Sequence, residues 1–363
     1  MSLAQEIVRP ATQRIKPAAG LLSRRYFLLS LLLGTWLPIA FFILVAPPEG
    51  AIGGLAGVKM IFLFLGTAHV PATLFFYTDR QFFGIIRDHR LRYIYVPLLL
   101  TLVTGLLFAL LSFVGQAFLL LTYWAWQAFH YGRQNIGVYA FASIAQTGAA
   151  PHRAEKLAID CGTLLGILGT FKILGMAVAP DYLHGTFDRL YQFGSVAFAA
   201  LLIFSLAVYL KFYRDTTVFK TLFFFTSVFF FYPVFVSTNM NIAFLSYAMA
   251  HGFQYIIFMT IVSANTNDGH QPRMVQYRNL LTLAIFVFVV GFLFWRVGDL
   301  RQMEVIKSSR FYAWVADFLF GAVLGATMSH FVVDASAWKL SMARQRAYIA
   351  KRFDFLFASG EKA

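Results

Sequence analysis

Residues 26–46 read YFLLSLLLGTWLPIAFFILVA, an unbroken apolar run that decides the fold class. A helix needs about 20 predominantly apolar residues to cross roughly 30 Å of hydrocarbon, and this run is long enough. Residues 1–25 are basic, as they are in front of a signal-peptide core. However, the run is longer than such a core and no cleavage site of small residues follows it. We therefore expect a first membrane span that is retained.

Runs of the same kind fill most of the chain. Hydrophobic residues make up 59% of the 363 residues and charged residues 13%, with a mean hydropathy of +0.68, which is far from the balance of a soluble domain. The runs do not alternate apolar and polar residues as the strands of a membrane barrel do. The sequence therefore predicts an all-α, polytopic transmembrane helix bundle with about ten spans. The predicted spans are 26–46, 52–77, 93–113, 116–143, 157–179, 190–210, 219–236, 240–264, 279–297 and 312–338.

The basic residues indicate how the chain is oriented. The net charge is +14, and most of the 30 Lys and Arg residues lie at the ends of the apolar runs, which favours membrane orientation over nucleic-acid binding. The positive-inside rule predicts cytoplasmic termini in a bacterial inner membrane. We divide the chain into a basic segment at 1–25, a single transmembrane domain at 26–338 and a basic amphipathic tail at 339–363. Within the tail, 340–357 is expected to lie on the anionic inner leaflet.

Histidines fall into two groups. Four of the eight lie in predicted loops and are expected to be solvated: His89, His152, His184 and His270. The other four lie inside predicted spans two, four, eight and ten: His69, His130, His251 and His330. These spans run in the same direction, and at 1.5 Å per residue the four histidines lie within about 8 Å of one depth. A lone buried histidine usually makes an interhelical hydrogen bond, but the shared depth favours one metal or cofactor site.

Three of these histidines have polar residues one helical turn away. The residues are Gln127 and Gln134 beside His130, Gln254 and Tyr255 beside His251, and Asp334 beside His330. Such groups resemble the hydrogen-bonding partners that orient ligand imidazoles. A carboxylate within a membrane is costly unless it is paired or linked to a metal. Arg133 is either a topology residue or a charge partner of Asp334, and the sequence does not decide between these roles.

The ligand types narrow the choice of metal. The single cysteine, Cys161, excludes an intrachain disulfide and any site built from cysteines. Imidazoles suit iron, copper, zinc and nickel, and a four-histidine site with open positions suits Fe²⁺, which binds dioxygen. Two haems with paired axial histidines are the alternative use of the same residues. Aromatic residues near the histidines are expected to line a substrate pocket: Trp124, Trp126, Tyr131, Tyr247 and Tyr255.

Isolated intramembrane histidines, one per helix, in aromatic-rich spans resemble the Brp/Blh family of membrane carotene dioxygenases. That family carries a Gly-x-x-His-Gly-like segment with an acidic residue soon after it, whereas residues 66–71 read GTAHVP here and Asp79 follows later. The resemblance implies a polytopic helical protein in which four histidines hold one iron.

These observations lead to three functional hypotheses. The first is a nonhaem iron oxygenase that acts on an apolar, lipid-soluble substrate such as a polyene, quinone or acyl chain. Its predicted catalytic residues are Asp334, Tyr131 and Tyr255, and Gln127, Gln134 and Gln254 are predicted to hold the bound group in place. The second hypothesis is a haem-binding electron carrier. The third is a proton- or metal-coupled transporter, although the sequence lacks the repeats typical of that class.

Overall fold

Helices are the only regular elements in the part of the chain that the structure describes. The computed structural model describes residues 24–45, 64, 66–237, 239, 241–265, 273–301 and 303–357. Seven helical segments within these ranges are long and apolar enough to cross a membrane. The prediction of an all-α integral membrane protein is therefore confirmed.

The helices are numbered here in chain order. The first are α1 (Arg24–Val45), α2 (66–72, continued by a 3-10 helix at Thr73–Tyr77), α3 (Phe83–Asp88), α4 (Leu91–Leu110), α5 (Phe113–Thr147), α6 (Arg153–Gly175) and α7 (Asp181–Phe212). The others are α8 (Val218–Val228), α9 (Tyr232–Val236), α10 (Ile242–Ala264), α11 (Arg273–Leu300), α12 (Glu304–Lys307), α13 (Arg310–Ala337), α14 (Ala343–Arg352) and α15 (Asp354–Phe357). Short helical turns at Met176–Val178 and Tyr213–Asp215 extend α6 and α7.

Seven predicted spans correspond to the seven candidate membrane-crossing helices, and the remaining three differ, so a count of ten is not confirmed. The predicted span 116–143 lies in α5, which is 35 residues long but is made more polar by side chains such as His130. The predicted span 219–236 is broken into α8 and α9 by a turn just ahead of Pro233. Of the predicted span 52–77, residues 52–63 lie outside the described residues, and its last turn is a 3-10 helix.

Glycines bring α13 close to α4. A Cβ atom on Gly325 would lie 2.4 Å from the Leu100 carbonyl oxygen, and one on Gly321 would lie 2.5 Å from Phe108 Cβ. Real side chains do not approach so closely, so only glycine permits this contact. Small residues allow membrane helices to pack by direct backbone approach. The contact fixes the height of α13, and hence the depth of His330 on the same helix.

The chain after α13 folds back onto the bundle. Ile349, Phe353 and Leu356 are buried, and the Phe353 ring lies 5.5 Å from that of Phe258 and 5.8 Å from that of Phe27. The apolar face of 340–357, which we expected to contact the inner leaflet, therefore packs against protein. Aromatic rings of α1 and α10 provide the surface it covers. Residues 1–23 and 358–363 of the predicted terminal segments lie outside the described residues.

A buried ion pair fastens this returning segment. Arg352 Nη2 donates to Asp79 Oδ2 at 2.5 Å, and Nη1 donates to the carbonyl oxygens of Val262 at 2.9 Å and Asn265 at 2.6 Å. The Tyr348 hydroxyl also donates to Asp79 Oδ2, at 2.7 Å. Burial raises the pKa of the Tyr348 phenol, so it keeps the proton that this bond needs. We call these five residues the Arg352 cluster and the end of the bundle that holds them the tail end.

Candidate metal centre

The four intramembrane histidines meet inside the bundle. Ring centroids lie 4.8 Å apart for His69 and His251, 4.9 Å for His251 and His130, and 5.1 Å for His130 and His330 and again for His330 and His69. The rings thus form a closed cycle with one imidazole each from α2, α5, α10 and α13. Their exposed fractions lie between 0% and 6%, so none faces water.

Close packing around α5 holds His130 in place. Gly132 lies against Thr163 of α6, where a Cβ atom would come within 2.0 Å of the Thr163 hydroxyl oxygen. The His130 ring stacks on Phe331 of α13, with centroids 4.2 Å apart and planes inclined by 21°. Because α13 also carries His330, this stack fixes two of the histidines relative to each other.

Several ring nitrogens at the centre have no hydrogen-bond partner among the residues that the structure describes. The Nε2 atoms of His69, His130, His251 and His330 are all buried and unpaired, as is Nδ1 of His251. Buried polar atoms in proteins are nearly always hydrogen-bonded, because an unpaired one costs about 1–3 kcal/mol. Four such atoms on neighbouring rings are an arrangement that a metal ion could satisfy.

His69 is oriented by its own helix. Its Nδ1 lies 2.5 Å from the carbonyl oxygen of Gly66, one turn earlier. A carbonyl oxygen only accepts hydrogen bonds, so Nδ1 carries the proton and Nε2 of the neutral ring carries the lone pair. His69 therefore presents a ligand atom to the other three rings.

A chain of hydrogen bonds orients His330. The Tyr255 hydroxyl donates to Asp334 Oδ1 at 2.8 Å, and Thr73 Oγ1 lies 2.7 Å from that hydroxyl and 2.5 Å from His330 Nδ1. Tyr255 has one proton and gives it to the carboxylate, so Thr73 must donate to Tyr255 and accept from Nδ1. His330 is thereby protonated at Nδ1, and its Nε2 is left with the lone pair.

Asp334 lies on the inner side of the cycle. Its Oδ2 is 3.5 Å from His330 Nε2 and 4.0 Å from His130 Nε2. Two sets of three residues could each hold an ion, with ligand atoms no more than 4.8 Å apart: His69, His251 and His330, and His130, His330 and Asp334. His330 belongs to both, so the two sets are adjacent and share one histidine.

Gln134 and Gln254, two of the glutamines predicted near the histidines, make hydrogen bonds to groups other than imidazoles. Gln134 Nε2 donates to the backbone carbonyl of His251 at 3.1 Å and to Gln254 Oε1 at 3.0 Å. Gln254 Nε2 donates to Thr35 of α1 at 2.8 Å. These amides therefore tie α5, α10 and α1 together, and their hydrogen bonds do not go to imidazoles. The third predicted glutamine, Gln127, interacts with the Tyr131 side chain, and its buried Oε1 has no hydrogen-bond partner among the described residues.

The predicted aromatic residues lie at different distances from the centre. The Tyr131 ring is 4.1 Å from that of His251, and Tyr255 lies 4.9 Å from His330. Tyr247 follows as a neighbour of Tyr131 at 6.0 Å. Trp126 reaches the centre only through Phe331, at 6.3 Å, and Trp124 packs in the same apolar cluster as Phe331. Of these five predicted residues, Tyr131 and Tyr255 are the two whose rings lie within 5 Å of a histidine ring.

Arg133, His152 and His184 make their contacts with residues outside the cycle. Arg133 pairs with Asp160 at 3.1 Å on the outside of the bundle, which answers the question of its partner. His152 stacks on Phe212, and His184 bonds the carbonyl of Ala179. His89 ends α3, and His270 lies outside the described residues.

Sequence reasoning missed two contributors to the centre. Thr73 stands one helical turn after His69, the same spacing that singled out Asp334 after His330, and this signal was available. Phe331 gave no such signal in the sequence, because one phenylalanine among the 42 in the chain does not stand out.

The candidate donors in the two sets are, taken together, four imidazole nitrogens and one carboxylate oxygen. Such donors suit first-row divalent ions better than Cu⁺, which prefers sulfur, or Ca²⁺, which prefers oxygen. The chemistry of the site has to be inferred from this geometry. No family model matches the chain, and neither a curated protein nor a solved structure matches it.

Proposed function

We propose that this chain is a membrane metalloprotein that binds one iron ion through His69, His130, His251 and His330 and oxygenates an apolar, lipid-soluble substrate. The observation that carries the proposal is the set of four buried Nε2 atoms without hydrogen-bond partners. Packing alone gives no reason for four helices to bury unpaired nitrogens on neighbouring rings. A shared ion gives every one of them a partner.

Oxygenation is favoured by the surroundings of the centre. When bound, iron would supply the activation of dioxygen. The protein supplies a site closed to bulk water, since the histidines are buried beneath rings such as Tyr131 and Phe331. Such a site within a membrane suits a substrate that reaches it through lipid.

The proposed reaction class is dioxygenation of a polyene. One C=C bond breaks, and each of its carbons receives one atom of O₂ and becomes a carbonyl group. The substrate provides all four electrons, so the reaction consumes no other reductant. This choice follows the resemblance to the Brp/Blh family, which rests on the one-per-helix histidines.

The haem alternative fits the spacing less well. Two imidazoles on opposite faces of a haem, each about 2.0 Å from the iron, have ring centroids roughly 6 Å apart. Neighbouring rings in the cycle are 4.8–5.1 Å apart and leave no room for a porphyrin between them. One ion among four rings meets this spacing directly.

The orientation proposed for the protein places the tail end on the cytoplasmic side of a bacterial inner membrane. Basic residues cluster there, including Arg87, Arg90, Arg92, Arg344 and Arg346. The positive-inside rule assigns such a cluster to the cytoplasm.

Two measurements test the proposed function. The first is elemental analysis of detergent-purified protein from iron-replete cells, which should find one iron per chain. The second follows the loss of polyene absorbance together with O₂ uptake, with the His152→Ala protein as a matched control that should behave as wild type. Protein that purifies folded but without metal would refute the metal centre, whereas an iron-loaded protein inert toward polyenes would refute only the substrate class.

A further inference from the structure

Asp334 occupies an unusual position relative to the histidines. A carboxylate that only orients a ligand imidazole accepts a hydrogen bond from the ring nitrogen remote from the metal. In His330 that remote nitrogen is Nδ1, and Thr73 already bonds it. Asp334 Oδ2 instead faces Nε2, the nitrogen left with the lone pair, at 3.5 Å. The carboxylate is therefore on the side of the ring where an ion would lie.

The distances also exclude a simple hydrogen bond. Nitrogen-to-oxygen hydrogen bonds measure about 2.7–3.2 Å, whereas Oδ2 is 3.5 Å from His330 Nε2 and 4.0 Å from His130 Nε2. Two atoms that each bind one ion at about 2.0–2.2 Å are separated by at most roughly 4.4 Å. Both separations fit within that limit.

The other carboxylate oxygen is held independently. Oδ1 accepts the proton of the Tyr255 hydroxyl, and Tyr255 is held in turn by Thr73. Asp334 and His330 are thus connected twice, once through α13 and once through the hydrogen-bond chain across α2 and α10. This double connection fixes Oδ2 toward the centre of the cycle and fixes the tautomer of His330 with it.

From this geometry, and resting on the metal centre of the proposed function, we propose that Asp334 Oδ2 is a fifth ligand of the ion and that Tyr255 and Thr73 are positioning residues for it. A carboxylate reduces the charge that a divalent ion brings into the membrane core by one unit. An ion held by these five ligands alone would be five-coordinate. The Tyr255 hydroxyl is the group that holds the carboxylate in place.

Cobalt substitution tests the proposal without any assay of activity. Co²⁺ is added to metal-free protein, and its visible spectrum is recorded, because four-coordinate Co²⁺ absorbs several times more strongly than the five-coordinate ion. The variants are Asp334→Ala, which removes the ligand, and Asp334→Asn, which preserves shape and folding. Asp317→Asn is the matched control, since Asp317 lies on the same helix and pairs with Arg301.

We expect wild-type protein to give a weak five-coordinate spectrum that the control retains. Asp334→Ala should bind Co²⁺ through the four histidines alone and absorb several times more strongly, and Asp334→Asn should shift the bands. Identical spectra for wild type and both Asp334 variants would overturn the fifth ligand and leave the four-histidine centre intact. Wild-type protein that takes up no Co²⁺ would overturn the centre itself, and the ligand with it.

Discussion

Two regions of this molecule bury polar side chains, and they do so in opposite ways. In the Arg352 cluster the two terminal guanidinium nitrogens find a carboxylate and two backbone carbonyls. In the histidine cycle four imidazole nitrogens are buried without a hydrogen-bond partner among the described residues. Paired groups stabilise a fold, whereas unpaired ones cost free energy unless a ligand meets them. Single unpaired atoms also occur elsewhere, such as Arg352 Nε, so the comparison teaches that several unpaired atoms gathered on neighbouring rings, and not burial alone, mark a candidate site.

The largest expected effect concerns the histidines themselves. We expect the affinity for iron to fall more than about 100-fold when any one of the four histidines is replaced by alanine: His69→Ala, His130→Ala, His251→Ala or His330→Ala. Loss of a direct ligand should cost more than the 10–100-fold that is typical for loss of a residue that only orients a ligand. Metal content of the purified variants measures this.

The loop histidines provide the control for that experiment. His89→Ala, His152→Ala and His184→Ala should leave metal content unchanged. Single variants that fall into two pairs, each abolishing one haem spectrum, would instead favour the haem hypothesis. Metal content indifferent to all four intramembrane histidines would return them to interhelical packing.

The next largest effect is expected in the Arg352 cluster, where a substitution should lower the free energy of unfolding and leave iron binding unchanged. Arg352→Ala leaves Asp79 as a buried carboxylate without its main partner, which typically costs about 3–5 kcal/mol. Arg344→Ala on the same helix α14 removes an exposed pair with Asp88 and should cost about 1 kcal/mol or less. Thermal unfolding in detergent compares them, and iron per folded chain should be unchanged in both. Equal losses of stability would contradict the structural role of the cluster.

A smaller effect is expected at Thr73, whose hydroxyl is hydrogen-bonded to His330 of the cycle and to Tyr255 beside it. Thr73→Val keeps the shape of the side chain but removes the hydroxyl that links His330 to Tyr255. We expect metal affinity to fall about 10–100-fold, since the ligand remains and only its orientation is lost. Competition with a chelator measures the affinity. Thr73→Ser restores the hydroxyl and should recover most of it, and a failure to do so would show that the methyl group matters instead.

The smallest effect should come from Gln134. Its amide bonds the backbone of His251 and the side chain of Gln254, both of which are paired groups. Gln134→Leu should therefore lower stability by about 1–3 kcal/mol and change metal affinity by less than threefold. The same chelator competition and thermal unfolding apply. A loss of affinity as large as that of Thr73→Val would place Gln134 among the groups that orient the ligands.

Much of this architecture could be read from local pattern. Length and apolarity predicted the membrane helices, and helix direction and depth singled out His69, His130, His251 and His330. The break between α8 and α9 was missed because residues 219–236 are apolar throughout, although Pro233 gave a local warning. The pairing of Arg352 with Asp79 could not be predicted, because it joins distant parts of the chain and leaves no periodic trace. The Tyr255–Thr73 chain likewise depends on how α2 and α10 face each other.

The position of Phe353 in the chain sets an order of assembly. Synthesis proceeds from the N-terminus, so every histidine of the cycle is made before the ring that completes the core with Phe27 and Phe258. At about 5–20 residues per second, the ribosome reaches Phe353 roughly 1–5 s after His330. The tail end therefore closes last, after the helices that carry the ligands have been made.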